Sequence, residues 1–351
     1  MTPLPKNARV CVMSARRYGD AIMNAVALKE AAQVRPDIEW IIWTKPEFAP
    51  LFRLMGFHRI ITAQFPIAGG VPRVLQGGWL SLLKSITQLH KLQVDASIDF
   101  IGDARESFLG MLISGRRHHS PRWEGQAPPH WMKRLIWNYS LPWVKYIPVA
   151  SDNGWAYQFV TLLISNVLGC NIEAKGSSLP LSSPLRIAFH PYSSQAFKQW
   201  PTENWLMLAK ILADKGVQTS ILCSPAELAL ANTQFGHAAY SIPIFSNESI
   251  EKLASEVNKI DLLIGVDSFL VHLASALGKR TIVINAGNLP QWWAPPNSIA
   301  IGQSGGCPHY PCSNEPTCLG QTHEAICIRS ISPEQVLNAI SLDLVTHSST
   351  P

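Results

Sequence analysis

No stretch of this 351-residue chain stays apolar for the ~20 residues that a membrane-crossing helix needs. The longest approach, Trp155–Cys170, is broken by Gln158, Thr161, Ser165 and Asn166. Near the N-terminus, an apolar run after Lys6 and Arg9 is cut off by Arg16 and Arg17, too soon for a secretion signal. The chain therefore reads as cytosolic. Charge is sparse too: Asp, Glu, Lys and Arg make up 15% of the residues against 47% hydrophobic, which excludes a disordered chain. The G-x-G-x-x-G fingerprint is missing, which speaks against an NAD enzyme. Cysteines number seven, an odd count that in a cytosolic protein favours thiols or metal ligands over disulfides.

What is present begins with length. At 351 residues the chain exceeds what one hydrophobic core usually serves, so two domains are expected. The Pro/Ser-rich connector Gly176–Pro184 divides them, giving residues 1–175, 185–330 and a closing helical segment, 331–351. Charge is unevenly shared. Residues 1–150 hold 19 Lys/Arg against 10 Asp/Glu, whereas residues 151–351 hold 10 against 14. The first half is thus expected to meet something anionic. Between Arg116 and Pro148, basic residues including Arg116, Arg117, Arg122, Lys133, Arg134 and Lys145 interleave with Trp123, Trp131, Trp137, Tyr139 and Trp143. That mixture suits a membrane interface, a sugar platform, single-stranded nucleic acid or an irregular packing loop.

Strand and helix patterns alternate along both halves, an α/β signature. Arg9–Ser14 reads as a strand, followed by Gly19-Asp20 and a helix to Val34. In the second half, Leu185–Phe189 reads as a strand ending in HPYSSQAFKQWP. Later, Asp261–Val266 reads as a buried strand that stops at Asp267-Ser268, before Leu270, Leu273, Ala274 and Leu277 mark one helical face. A carboxylate and a hydroxyl at a strand's carboxyl end and a helix's amino end suit a ligand site, or a plain N-cap. Cys307, Cys312, Cys318 and Cys327 follow with spacing C-x4-C-x5-C-x8-C, a candidate zinc or iron site without the tight C-x2-C knuckle, or loop thiols. Ser332-Pro333-Glu334-Gln335 has the form of a capping box opening the last helix.

Two of these segments, HPYSSQAFKQWP and GVDSFLVHLASALGKRTIVINAGNLPQWWAP, resemble the motifs of glycosyltransferase family 9, the bacterial lipopolysaccharide heptosyltransferases. The Gly19-Asp20 turn and the cysteine-rich loop agree with the same family. The resemblance is strong over roughly 185–340 and thinner over 1–175. It implies a GT-B fold, with two Rossmann-like domains facing across a cleft and the last helix returning to the first. It also implies an inverting transfer, without a metal cofactor, of heptose from ADP-heptose to an inner-core lipopolysaccharide acceptor. The second domain would take the donor. The basic first domain would take the anionic, lipid-linked acceptor at the inner face of the inner membrane, as a peripheral enzyme with no nucleic-acid partner.

Asp20 is then the candidate base for the acceptor hydroxyl, and Lys198 the cation for the departing diphosphate. Ser193, Ser194 and the amides of Ser268, Phe269 and Leu270 are candidate phosphate contacts, with Asp267 on a sugar hydroxyl. Glu227 is a candidate for the ribose and His272 for phosphate or plain packing. Trp200 and Trp293 either flank the base or sugar or pack in the core. Arg16, Arg17, Arg116, Arg117 and Arg122 are candidate acceptor contacts. Two departures stand out. Phe269 occupies the place where the family has glycine, and Asn285–Leu289 replaces its usual F-G-P-T. They leave open another nucleotide sugar, a protein (autotransporter) acceptor, or a non-catalytic glycan- or membrane-binding relative.

Overall fold

The computed structural model describes residues 4–66, 77–124, 141, 143–150, 155–176, 179–182, 184–237, 242–312 and 316–348. The chain divides into two compact units, Met1–Ala174 and Lys175–Pro351, immediately before the Gly176–Pro184 connector. Trp131, Lys133, Arg134, Trp137 and Tyr139 of the basic aromatic segment lie outside the described residues.

The first unit contains β1 (Arg9–Ser14), α1 (Tyr18–Val34), β2 (Glu39–Thr44), α2 (Ala49–Leu54), β3 (Ile60–Thr62) and α3 (Trp79–Lys91). These are followed by β4 (Ala96–Asp99), α4 (Ala104–Ser114), β5 (His118–Glu124), β6 (Lys145–Ala150) and α5 (Ala156–Leu168). All strands are parallel, in the order β3-β2-β1-β4-β5-β6. β1 and β4 are buried almost throughout, because helices cover both faces of a parallel sheet. On one face, Leu82 and Leu89 of α3 and Leu109 and Ile113 of α4 close a core over Cys11, Met13, Ile41 and Trp43. The basic aromatic segment contributes two regular strands, β5 and β6, which its irregular composition does not announce.

The second unit repeats the wiring. It runs β7 (Arg186–His190), α6 (Thr202–Asp214), β8 (Gln218–Cys223), α7 (Leu228–Phe235), β9 (Ile244–Ser246), α8 (Ile250–Asn258) and β10 (Leu262–Val266). Then come α9 (Phe269–Ala276), β11 (Arg280–Ile284), α10 (Pro290–Trp293), β12 (Ser298–Ile301), α11 (Ile326–Arg329) and α12 (Pro333–Ser348). The order is β12-β11-β10-β7-β8-β9, again all parallel. Counted from each unit's own first strand, both sheets are 3-2-1-4-5-6, the Rossmann order. α12 is opened by reciprocal capping bonds: Ser332 N–H donates to Gln335 Oε1 at 2.7 Å, and Gln335 N–H to Ser332 Oγ at 3.3 Å. Its Val336, Ala339 and Ile340 belong to the core of this second unit, together with Trp200 and Trp205.

Candidate active site

In a 3-2-1-4-5-6 sheet the strand order reverses between strands 1 and 4, and ligands bind outside the carboxyl ends at that point. In the second unit the reversal lies between β7 and β10. The loop after β7 carries Ser193, Ser194 and Lys198, and the residues after β10 are Asp267, Ser268 and Phe269. The fold thus gathers most of the donor-site candidates at one sheet edge. Lys198 Nζ lies 2.8 Å from Asp267 Oδ2, with both side chains largely buried. His272 Nε2 is 3.9 Å from the other carboxylate oxygen, and burial holds its imidazole below the usual range, so it is neutral at pH 7. The expectation that Lys198 would stand as a bare cation and Asp267 would wait for a sugar hydroxyl is modified here: each is the other's partner.

Ser268 occupies the N-cap of α9 in extended conformation (φ −154°, ψ 170°), yet its side chain makes no capping bond. Its Oγ is buried and without a partner. The plain N-cap reading of Ser268 therefore fails on geometry: its hydroxyl makes no capping bond at the start of α9. Phe269 is the first helical residue and does not take a positive φ, so this turn needs no glycine. Ser193 Oγ accepts the amide of Gln195 at 3.3 Å, and Ser194 is exposed. Glu227, half-buried, turns back on its own loop and accepts the Ser224 amide at 2.8 Å. Trp200 is a core residue: its Nε1 donates to Ile331 O at 2.9 Å, and its ring stands edge-on to Trp205 at 5.0 Å. Trp293 is half-buried on α10.

In the first unit the reversal lies between β1 and β4. Asp20 sits half-buried in the first turn of α1, just beyond the end of β1. Burial raises its pKa above the usual carboxylate value, against the opposing charges of Arg17 and Arg16. Arg16 spans the switch point, donating through Nε to Glu106 Oε1 (2.6 Å) and through Nη2 to Asp103 Oδ2 (3.0 Å). Asp103 also accepts both the amide and the guanidinium of Arg105. Glu106 is fully buried, and the loss of water pushes its pKa up to about 8 despite Arg16. This carboxylate pair is absent from the sequence-level site. Its signal was the Asp99…Asp103…Glu106 run directly after the fourth strand.

Behind it lies a buried polar chain. Ser97 Oγ is 2.7 Å from His118 Nδ1, and His118 Nε2 is 2.9 Å from Asp99 Oδ2. Ser107 Oγ also donates to Asp99, which accepts the amides of Ile101 and Gly102. The serine, histidine and aspartate resemble a hydrolytic triad in type, but all three are shut off from solvent, so no substrate reaches them. They pin β4 to β5 and α4 instead.

The remaining arginines scatter. Arg17 is exposed beside Asp20, and Arg122 on β5 lies over the Tyr146 ring at 5.7 Å. Arg116 and Arg117 immediately precede β5, at the amino edge of the sheet, opposite the edge that bears Asp20. Arg117 stands 3.5 Å from Asp95 there. The four candidate metal ligands, Cys307, Cys312, Cys318 and Cys327, are all free thiols. Among the described residues no group of three or more His, Cys, Asp or Glu side chains is gathered to hold a metal ion. As placed, these candidate ligands stand as thiols whose charges act on one another, without an assembled metal group among the described residues. Cys327 instead accepts the Gly287 amide, and burial raises its thiol pKa.

With this geometry described, comparison with known proteins is informative. The glycosyltransferase family 9 (heptosyltransferase) model matches residues 169–323. Lipopolysaccharide heptosyltransferase 1 of Escherichia coli strain K12 is 23% identical over 295 residues, covering 79% of this chain and 87% of that protein. The structure of the E. coli heptosyltransferase WaaC with ADP superposes with a TM-score of 0.71 at 19% identity, covering 95% of this chain and 99% of the other. A family 9 glycosyl transferase from Veillonella parvula DSM 2008 gives a TM-score of 0.75 at 16% identity, covering 98% and 99%. No described helix is long and apolar enough to cross a membrane. The motifs, the paired Rossmann sheets and these matches agree: residues 169–323 match glycosyltransferase family 9, and the two α/β units have the fold of the GT-B heptosyltransferases.

Proposed function

We propose that this protein transfers heptose from ADP-heptose to a lipopolysaccharide inner-core acceptor with inversion, working in the cytoplasm at the inner face of the inner membrane. The observation that carries the reading is the Lys198–Asp267 pair beside the start of α9, whose N-cap Ser268 makes no capping bond, at the switch point of the second unit. Inverting transfer passes through an oxocarbenium-like state in which the leaving diphosphate gains charge. In this reading Lys198, Ser193, Ser194, the Ser268 hydroxyl and the start of α9 take up that charge as fixed donors. Asp267 then turns to a sugar hydroxyl as the diphosphate takes its place on Lys198. Asp20, with a pKa raised by burial, takes the acceptor's proton. Its burial favours a base more basic than an exposed aspartate. Arg17 and Arg122 remain as acceptor contacts, and Arg16 acts mainly through its carboxylate partners.

A second reading, another nucleotide sugar as donor, is favoured by the loop after β11. Asn285 and Asn288 are fully buried there, and neither amide group has a hydrogen-bond partner. Transfer assays with ADP-heptose, UDP-sugars and GDP-sugars on truncated core acceptors, read by mass spectrometry, separate the two. Product from ADP-heptose, lost about 100-fold or more in Asp20→Asn, supports the proposal. Product from a UDP- or GDP-sugar alone would overturn it.

A further inference from the structure

The first unit turns an unusual surface outward on the face formed by α3 and α4. α3 packs inward through Leu82, Ser85 and Leu89, and Trp43 Nε1 donates to Ser85 Oγ at 3.0 Å. Its opposite stripe is Leu80, Leu83, Lys84, Thr87 and Lys91, spaced i, i+3, i+4, i+7, i+11, and all five are exposed. Leu80 is 67% exposed and Leu83 59%, and Trp79 beside them is 38% exposed. On the neighbouring α4, Phe108 and Leu112 are exposed one turn apart. Isolated exposed leucines are ordinary, but five large apolar side chains on two adjacent helices form a patch that calls for a partner.

Charge identifies the partner's chemistry. α3 has no acidic residue, and the only acid of α4, Glu106, is buried against Arg16. The exposed titratable groups of this face are Lys84, His90 and Lys91 on α3, and Arg116 and Arg117 just beyond α4, with Asp95 beside Arg117 as the one facing carboxylate. Apolar side chains thus occupy the first turns of α3, and cations follow towards its end and the end of α4. Insertable apolar groups flanked by cations are the two signals that hold a protein on an anionic bilayer, where either alone is weak. A folded protein partner of this composition would have to be both apolar and acidic, whereas an anionic membrane is both by nature.

We infer that the α3–α4 face is the surface by which this protein lies on a membrane containing anionic phospholipid. The inference rests on the reading of the acceptor as lipid-linked. It also gives Arg116 and Arg117, which stand away from Asp20, a role as lipid-headgroup contacts. Ser81 Oγ accepts the Gln64 amide at 3.4 Å, which places the apolar start of α3 beside the carboxyl end of β3, at the edge that bears Asp20.

The test uses the full chain with vesicles of phosphatidylcholine alone and of phosphatidylcholine with phosphatidylglycerol at about two to one. Sedimentation should show binding to the anionic vesicles and at least about tenfold less to the neutral ones. Leu80→Glu/Leu83→Glu and, separately, Lys84→Glu/Lys91→Glu should each weaken anionic binding about tenfold or more, with transfer to a soluble truncated acceptor retained. Absent vesicle binding by the unsubstituted protein overturns the inference, as does equal binding by both variants. A leucine variant that instead changes the oligomeric state by sedimentation velocity identifies a second copy as the partner and also overturns it. Vesicle binding with no transfer from ADP-heptose would sink the functional reading and leave this one standing.

Discussion

Glu106 shows how much one buried side chain can decide. Its folded-state pKa of about 8 lies above that of an exposed glutamate, because burial outweighs the attraction of Arg16. Between those two values the native state binds more protons than the unfolded chain, so stability falls as pH rises from about 5 towards 8 and is flat beyond. Glu106→Gln, which keeps the shape but cannot ionise, should flatten that slope; melting temperature against pH in both proteins checks it. Asp20 follows the same logic in activity. The rate should rise with pH through a pKa above the ordinary aspartate range, and kcat/KM against pH reports it. In the second unit, Lys198→Ala removes the cation proposed for the diphosphate and takes from the buried Asp267 its ion-pair partner. A loss of about 100-fold or more in transfer is expected, with folding retained as judged by circular dichroism. Asp20, Lys198 and Asp267 were legible as candidate site residues because each sits at a strand-to-helix turn with a recognisable motif around it. Glu106 and Asp103 were not, because a carboxylate in a helix's first turn looks like any solvated or capping acid until the fold shows it facing Arg16.

At the scale of elements, α4 is the piece whose packing leaves least room. A methyl group on Gly110 would come within 2.0 Å of the His118 ring, which is held between Ser97 and Asp99. Gly110→Ala should therefore destabilise the protein by about 1–3 kcal/mol through overpacking, measured by denaturant unfolding. Gly19→Ala is the contrast. A methyl group there meets no atom within 4 Å, and the φ is not positive, so stability should be unchanged in the same experiment. The strand Leu262–Val266 was legible to within one residue, because a short, wholly apolar run bounded by turn residues admits few readings. β5 and β6 were not. Arg122, Trp123 and Lys145 give the segment a surface-like composition, and only the pairing of β5 with β4 and of β6 with β5 reveals strands.

For the molecule as a whole, the proposed function gives the two units, each with the 3-2-1-4-5-6 order, separate tasks. A ligand that binds one folded unit protects that unit's backbone amides from exchange. ADP should accordingly slow hydrogen exchange in the Lys175–Pro351 unit, above all at the starts of α9 and the loop after β7, and leave α3 and α4 unchanged; protection confined to the first unit would reverse the donor assignment. The alternation of elements and the connector were enough to anticipate two α/β units. The charge asymmetry pointed correctly to a basic first unit, but not to which of its residues share an edge, since that depends on strand order. Every described strand of the first sheet comes from residues before Lys175. During synthesis the first core is therefore complete in sequence while the remaining half is still being added, at rates that give a domain seconds to close. The basic unit can fold on the ribosome before any strand of the second, equally parallel sheet exists to compete for its edges.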